Sequence, residues 1–190
     1  MYSKPRTLAF VGMPGAGKSM CADYLADCGF FRFRFGSIIV NEVIQRGWPV
    51  NPNNERTVRE EFRAQDGMDA IARRALPLLL SGMQEHETIV IDGLYSWSEY
   101  RFLRKELGTD MQLIAVVADR MVRYERLSHR TIRPLTHHEA EERDWTEIEM
   151  LEKGGPIAIA DFTLLNNGAI EDTLIEMKRI LSSIHINLET

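Results

Sequence analysis

Apolar and polar residues are distributed along the chain as short buried strands separated by amphipathic helices. Continuous apolar runs occupy residues 7–11 (TLAFV), 88–92 (TIVID) and 111–118 (MQLIAVVA), as is typical of strands covered on both faces. Residues 30–35 (FFRFRF) alternate with a period of two, and residues 162–165 form a last short apolar run. These segments predict five strands.

The segments between the strands carry apolar residues at the spacing of one helical face. They predict helices over residues 17–27, 37–46, 55–65, 67–81, 97–107, 121–128, 140–151 and 170–184. Strands that alternate with helices favour a mostly parallel sheet with helices on both faces. We therefore predict one α/β domain over residues 1–190, with three layers and with its ligands at the carboxyl ends of the strands.

A glycine-rich octapeptide follows the first predicted strand and opens the first predicted helix. Its residues are Gly12, Met13, Pro14, Gly15, Ala16, Gly17, Lys18 and Ser19, which fit the pattern G-x-x-x-x-G-K-[ST] in full. In such a loop the backbone N–H groups point at phosphate oxygens, the lysine reaches the β- and γ-phosphates, and the hydroxyl ligates Mg²⁺. The motif predicts a P-loop NTP hydrolase fold that binds ATP and Mg²⁺, with Met20 beside the phosphates.

Composition limits the partners we expect. The hydrophobic share is 44%, enough for a packed core, while the net charge of −5 and the sequence pI of about 5.6 argue against a broad nucleic-acid surface. The chain shows neither a secretory signal nor an apolar run long enough to span a membrane. We expect a cytoplasmic protein, monomeric or homodimeric.

Asp92 ends the strand predicted over residues 88–92 and is followed by a glycine. One interpretation is an Asp-Gly turn that merely ends a strand. The other, which the upstream loop favours, is a functional carboxylate that orients Mg²⁺ with Ser19 or accepts a proton from an acceptor hydroxyl. We therefore predict that Lys18 and Asp92 are catalytic.

Arginines are concentrated after the fourth predicted strand. They are Arg120, Arg123, Arg126, Arg130 and Arg133. Guanidinium groups stabilise the charge that develops during phosphoryl transfer, and we expect one or two of these five to reach the phosphates. Arg126 is predicted to bind the nucleotide and Arg130 to act in catalysis, within a small lid over about residues 129–143 that excludes water.

Arg32 and Arg34 project from the same face of the second predicted strand. Two outward arginines on a short strand usually lie in solvent. The alternative is a position near the mouth of an acceptor pocket.

Along nearly its full length the chain resembles the dephospho-coenzyme A kinase-like proteins and, more closely, the UPF0200 group of small P-loop proteins related to nucleoside monophosphate kinases. The matching stretches are VGMPGAGKS (11–19), REEFRAQDGMDAIARR (59–74), IVIDGLYSWSEYRFLRKELG (89–108), EERDWTEI (141–148) and IAIADFTLLNNGAIEDT (157–173). The resemblance implies nucleotide binding and places Asn166, in the Asn-x-Gly after the last strand, near the adenine. A turn residue is the alternative for Asn166.

The resemblance also shows where this chain departs from monophosphate kinases. Those kinases carry arginines for the acceptor phosphate at two points where this chain has Asn41 and Tyr95. Serine stands at position 37, where an acidic residue is expected. Ser37 remains a candidate for the acceptor side, and the available substitute cations are Arg59, Arg63 and Arg101.

Three functional hypotheses follow. The first is a small-molecule kinase that transfers the γ-phosphoryl group of ATP to a nucleotide-like or dephospho-coenzyme A-like acceptor, which is phosphorylated or carries a hydroxyl. The second is a nucleotide-binding regulatory protein with little or no kinase activity, which the two absent arginines favour. The third, a nucleic-acid end kinase, needs a basic strip that the net charge of −5 does not favour.

Overall fold

The computed structural model describes residues 6–107, 111–186 and 188. The ends of the domain predicted over 1–190, and the last residue of the family stretch 89–108, lie outside the described residues. Five strands form one sheet: β1 (Arg6–Val11), β2 (Phe31–Arg34), β3 (Thr88–Asp92), β4 (Met111–Val117) and β5 (Phe162–Leu165). Their order is β2-β3-β1-β4-β5.

All four pairs of neighbouring strands run parallel. In register, Thr7 of β1 lies opposite Ile89 of β3 and Met111 of β4. Because the strands are parallel, their carboxyl ends meet at one edge of the sheet, which brings the residues after Val11 next to Asp92. The expected five-stranded parallel sheet is confirmed.

Helices cover both faces of this sheet. They are α1 (Lys18–Asp27), α2 (Gly36–Gln45), α3 (Pro52–Asp66), α4 (Ala70–Glu85), α5 (Trp97–Glu106), α6 (Arg120–Ser128), α7 (His137–Glu149), α8 (Gly154–Ala158) and α9 (Ile170–Ser183). Alternate residues of β1 enter two different cores, as a pleated strand requires. Ala9 and Val11 pack with α2 to α5, whereas Leu8 and Phe10 pack with α1 and α9. The predicted three-layer α/β/α fold is confirmed.

Some helix bounds differ from the predictions for local reasons. The helix predicted from residue 67 begins at Ala70, because Gly67 (φ 88°) ends α3. The helix predicted from residue 140 begins at His137, because Thr136 and Glu139 form a capping box. The sequence analysis missed α8, since its five residues, GGPIA, are too few to show a helical period.

The lid predicted over 129–143 corresponds to the connection after α6 and the first half of α7. Tyr124, Leu127 and Ala140 form a small core between the two helices. Arg133, in the connection, pairs with Glu55 of α3 at 2.7 Å. Movement of this segment remains a prediction.

Among the described residues, no helix combines the length and the apolar character that a membrane crossing requires.

Candidate functional site

The loop after β1 has a backbone shape that only glycine allows at particular points. Gly12 has φ 147°, and a Cβ there would lie 2.2 Å from the carbonyl oxygen of Val116. Gly17 has φ 101°, and a Cβ there would lie 2.1 Å from the side-chain nitrogen of Asn166. Both positions combine a conformation that L side chains rarely adopt with a close contact. The loop therefore packs directly against β4 and the end of β5.

The side chains of Arg123 and Asn166 donate hydrogen bonds to backbone carbonyls of this loop. The Arg123 guanidinium donates to the carbonyl of Pro14 at 3.0 Å and pairs with Asp144 of α7 through bonds of 2.9 and 2.6 Å. The Asn166 amide donates to the carbonyl of Ala16 at 2.8 Å. Asn166 is 3% exposed, and its side-chain oxygen accepts from Thr173 at 3.0 Å. The predicted contact of Asn166 with the base remains a prediction, beside this contact with the loop.

Changing Asn166 to Asp should lower the free energy of unfolding by about 2 kcal/mol. The new carboxylate cannot donate to the Ala16 carbonyl, so two buried oxygens would face each other. Urea unfolding measures the effect. The neighbouring change Asn167→Asp is the control, because the Asn167 side chain only accepts, from the backbone N–H of Asp119 at 2.7 Å. Equal unfolding midpoints for the two variants would contradict this assignment.

Lys18 occupies the floor of the site at the start of α1. Its ammonium donates to the carbonyl of Met13 at 3.0 Å. Burial, followed by the positive charge of Lys153, lowers the pKa of Lys18 from 10.5 to about 7 against the opposing effects of Glu147 and Asp92. The lysine is therefore poised to gain a proton when a polyanion arrives.

Nucleotide binding should consequently take up a proton in a pH-dependent way. A Lys18 pKa of about 7 leaves the free protein largely deprotonated at that side chain at pH 8, whereas bound phosphates restore the charge, so uptake should approach about one proton per Mg·ATP there and fall toward zero at pH 6. Isothermal titration calorimetry in two buffers of different ionisation enthalpy measures this number. The variant Lys18→Arg, always charged, should show no pH-dependent uptake. A wild-type proton uptake that does not change between pH 6 and pH 8 would contradict the prediction.

Asp92 ends β3 directly beside the loop. Its Oδ1 lies 3.4 Å from the Ser19 hydroxyl, which places two oxygen ligands together where a phosphate-bound Mg²⁺ needs them. Its Oδ2 accepts from Arg32, and the Nε of Arg34 lies 3.8 Å away. Asp92 is 6% exposed. Ser19 and Asp92 would hold the cation, with phosphate oxygens and water completing its shell.

The position of Arg32 settles one of the alternatives left open by the sequence. Its side chain is 14% exposed and pairs with both Asp92 and Asp23, so Arg32 does not lie in solvent. Arg34 is more exposed and lines the cavity described next. Arg34 itself is 67% exposed, and a position of the two arginines near the mouth of an acceptor pocket remains a prediction.

A cavity of about 410 Å³ opens above the loop at the carboxyl edge of the sheet. Its walls are formed by the loop, by the segment after Asp92, by the end of β2 with the residues after it, and on the lid side by α6, α7 and the connection between them. Its basic lining residues are Lys18, Arg34, Arg126, Arg130, Arg143 and Lys153. Only two carboxylates, those of Asp92 and Glu147, balance them. A cavity with this surplus of positive charge suits a polyanion.

The structure brings most of the predicted donor residues together. The cavity is lined by Pro14, Gly15, Gly17, Lys18, Ser19, Met20, Asp92, Arg126 and Arg130. Gly12, Met13 and Ala16 belong to the loop but do not line the cavity. Of the other arginines after β4, Arg120 pairs with Glu141 and Arg133 pairs with Glu55, both away from the cavity. Arg130 lies beyond the end of α6 but still reaches the cavity wall.

The three residues predicted for the acceptor side do not line this cavity. Arg101 is exposed on α5. The Ser37 hydroxyl donates to the carbonyl of Arg34 at 2.6 Å, which turns it toward the backbone. Burial lowers the pKa of Arg63, against the opposing charge of Glu99. Its Nε and Nη2 are buried without a hydrogen-bond partner among the described residues. The assignment of these residues to the acceptor is therefore not supported by the cavity.

The sequence analysis missed a buried charged group on the lid side. Lys153 is 1% exposed and pairs with Glu147, whose Oε1 also lies 3.2 Å from the Nε of Arg143. Burial opposes the charge of Glu147, yet Lys153 and Arg143 hold its pKa below the ordinary value. Arg143 and Glu147 lie in the family stretch 141–148, although no role was predicted for them, and nothing in the sequence marked Lys153.

A family model and two relatives match this chain by sequence. The family model described as an AAA domain matches residues 8–148. A UPF0200/UPF0201 protein from Archaeoglobus fulgidus is 32% identical over the whole chain, which spans 59% of that protein. A UPF0200 protein from Thermococcus kodakarensis is 32% identical over 91% of this chain and 95% of its own length.

Solved structures share the fold at low sequence identity. The protein TT1252 from Thermus thermophilus superposes with a TM-score of 0.68 at 18% identity, covering 96% of this chain and 99% of its own. Shikimate kinase from Acinetobacter baumannii superposes with a TM-score of 0.57 at 15% identity, covering 96% of each chain. Together with the loop and the sheet order, these matches show that the chain belongs to the UPF0200 family and has the fold of P-loop kinases.

Proposed function

We propose that this protein is an ATP-dependent phosphotransferase that acts on a small acceptor. The observation that carries the proposal is the meeting of Lys18, Ser19 and Asp92 at one cavity, with Arg126 and Arg130 on its wall. A lysine, a hydroxyl and a carboxylate in this arrangement are what phosphoryl transfer with Mg²⁺ requires. The kinase-like fold supports the same reaction class but does not name the acceptor.

The proposed step is an in-line displacement. An acceptor oxygen forms a bond to the γ-phosphorus, the bond from that phosphorus to the β,γ-bridging oxygen breaks, and ADP leaves with the electron pair. A hydroxyl acceptor releases its proton to solvent water, because Oδ1 of Asp92 faces the cation site and Oδ2 accepts from Arg32, whereas a phosphate acceptor has no proton to lose at neutral pH. Lys18 neutralises the bridging region, and Arg126 and Arg130 stabilise the charge on the transferred group.

Mg²⁺ would be held by Ser19 and Asp92 and would screen the charge of the phosphates. For that purpose Asp92 must keep one oxygen available, and its Oδ1 faces Ser19 while Oδ2 accepts from Arg32. Arg32 thus fixes the orientation of the carboxylate. This contact is compatible with one metal-facing oxygen.

The test is an ADP-release assay with Mg·ATP and a panel of acceptors. The panel contains nucleoside monophosphates, dephospho-coenzyme A, sugars, sugar phosphates and an oligonucleotide with a free 5′-hydroxyl. We expect acceptor-dependent ADP release with at least one small molecule and none with the oligonucleotide. Mg·ATP binding with no stimulation by any member of the panel would overturn the proposal.

A second function is favoured by two observations. Asn41 and Tyr95 stand where two acceptor arginines are expected, and Arg32 donates to one carboxylate oxygen of Asp92. A regulatory protein that binds ATP with little turnover would tolerate both features. It would bind Mg·ATP tightly, hydrolyse it negligibly and retain a partner protein only in one nucleotide state. Acceptor-dependent turnover that Asp92→Asn abolishes would exclude this alternative.

The cytoplasmic location and the monomeric or homodimeric state remain predictions.

A further inference from the structure

Tyr95 lies at one of the two points where the resemblance to monophosphate kinases predicts an acceptor arginine. A different element supplies a cation at that point. The ammonium of Lys153 lies 5.1 Å from the centroid of the Tyr95 ring, and both residues line the cavity. Lys153 and Asp92 line the same cavity, and Tyr95 follows Asp92 by three residues in the chain.

Lys153 is held rigidly in this place. Its backbone N–H donates to the carbonyl of Glu147 at 3.2 Å, and its ammonium pairs with the Glu147 side chain. The following turn, α8, lies close to α5, since a Cβ at Gly155 would meet the Trp97 ring at 3.0 Å. A buried lysine that is fixed before its ligand arrives loses little conformational entropy on binding.

More positive charge lies around Lys153 than the Glu147 carboxylate neutralises. Arg143 shares the same carboxylate, so two cations face one anion. Arg34, at the other rim of the cavity, is 67% exposed and only loosely paired with Asp92 at 3.8 Å. The triphosphate already has Lys18, Arg126 and Arg130 beside the loop. The other three cations, Lys153, Arg143 and Arg34, face the two carboxylates of Glu147 and Asp92, which leaves one positive charge for a second anion.

Tyr95 adds a neutral donor to this group. Burial and the charge of Asp92 raise the pKa of Tyr95, so its hydroxyl keeps its proton. Lys153 donates to one carboxylate and has two further N–H groups. Together these donors match the several acceptor oxygens of a phosphate group.

We propose that Lys153, with Arg143 and Arg34, binds the anionic group of the acceptor, which is therefore a small phosphorylated molecule. Lys153 takes the role of the acceptor arginine that is expected where this chain has Tyr95. The inference rests on the proposed phosphotransferase function and narrows its acceptor. A nucleotide and another phosphorylated metabolite share the group that this subsite recognises, a dianionic phosphoryl group.

Matched acceptor pairs test the proposal by turnover. The pairs are AMP and adenosine, glucose 6-phosphate and glucose, and 4′-phosphopantetheine and pantetheine. In the wild type, ADP release should depend on the phosphorylated member of a pair. Lys153→Met should raise its KM about tenfold to a hundredfold, since a charged hydrogen bond is lost, while Lys153→Arg should keep most of the affinity. The Kd of a fluorescent Mg·ATP analogue should change much less than this KM, although loss of the Lys153 charge also raises the pKa of Lys18.

Two further variants keep the result interpretable. Lys153→Met leaves the buried Glu147 unpaired, so the double change Glu147→Gln with Lys153→Met removes the pair together. Lys105→Met, on the exposed face of α5, is the matched control. Circular dichroism establishes that each variant is folded.

A binding experiment separates failure of this inference from failure of the proposed function. With a non-hydrolysable Mg·ATP analogue at saturation, calorimetric titration of the phosphorylated ligands reports the subsite without turnover. Binding that needs Lys153 but gives no ADP release supports the subsite and overturns the phosphotransferase. Three results overturn the subsite: neutral acceptors that react equally well, a phosphorylated acceptor whose KM ignores Lys153, or no phosphorylated ligand bound at all.

Discussion

Lys18→Met should abolish nucleotide binding and at the same time raise the melting temperature of the ligand-free protein. The lysine supplies the charge for the β- and γ-phosphates, so its loss should weaken Mg·ATP binding by at least about a hundredfold. In the empty site that same charge is costly, because burial lowers the pKa of Lys18 to about 7. Calorimetry measures the binding, and thermal unfolding measures the stability.

The pH dependence of the stability gain follows from the sign of this pKa shift. The unfolded chain binds the proton up to pH 10.5 and the folded chain only up to about pH 7. The penalty is therefore fully present below pH 7 and disappears as the pH rises toward 10.5. The gain of Lys18→Met should shrink over the same range. Lys105→Met, on the exposed face of α5, is the control and should change neither property. A ligand-free Lys18→Met that melts below the wild type at pH 7 would contradict the account.

Asp92→Asn should lower acceptor-dependent turnover by about 10²- to 10³-fold. The amide keeps the shape of the side chain but loses the negative charge of the ligand that faces Ser19. Affinity for ATP without Mg²⁺ should not fall, since a negative charge near the phosphates is removed. Steady-state kinetics and calorimetry with and without Mg²⁺ measure these effects.

The same substitution tests the role of Arg32. Without the Asp92 charge, Arg32 keeps only its exposed pair with Asp23, so the variant should unfold about 1 kcal/mol more easily. Asp27→Asn, exposed at the end of α1, is the control for both measurements. Turnover by Asp92→Asn within threefold of the wild type would remove Asp92 from the mechanism.

Much of the fold was predictable because single elements carry their own signals. The runs TIVID and MQLIAVVA are buried on both faces, and their lengths match central strands. The glycine loop has a spacing that its backbone conformation demands. The confirmed parts of the prediction are therefore those in which a local pattern decides the structure.

The parts of the site that the sequence did not reveal depend on contacts between distant segments. Arg32 reaches Asp92 because β2 pairs with β3, and only the sheet order makes them neighbours. Lys153 precedes a short Gly-Gly-Pro turn with no periodicity, and its burial comes from the packing of α8 on α5. The predicted Arg101, in contrast, belongs to the family stretch but faces outward. Position in a motif did not determine the direction of the side chain.

Transfer of the γ-phosphoryl group itself is the most direct test of the central claim. The measurement uses ATP labelled at the γ-phosphate, Mg²⁺ and the phosphorylated acceptors, with products separated by chromatography. The account predicts that label moves into an acceptor with the wild type and with Lys105→Met, but not with Lys18→Met or Asp92→Asn. Label that remains in ATP, or appears only as inorganic phosphate, with every acceptor would contradict it.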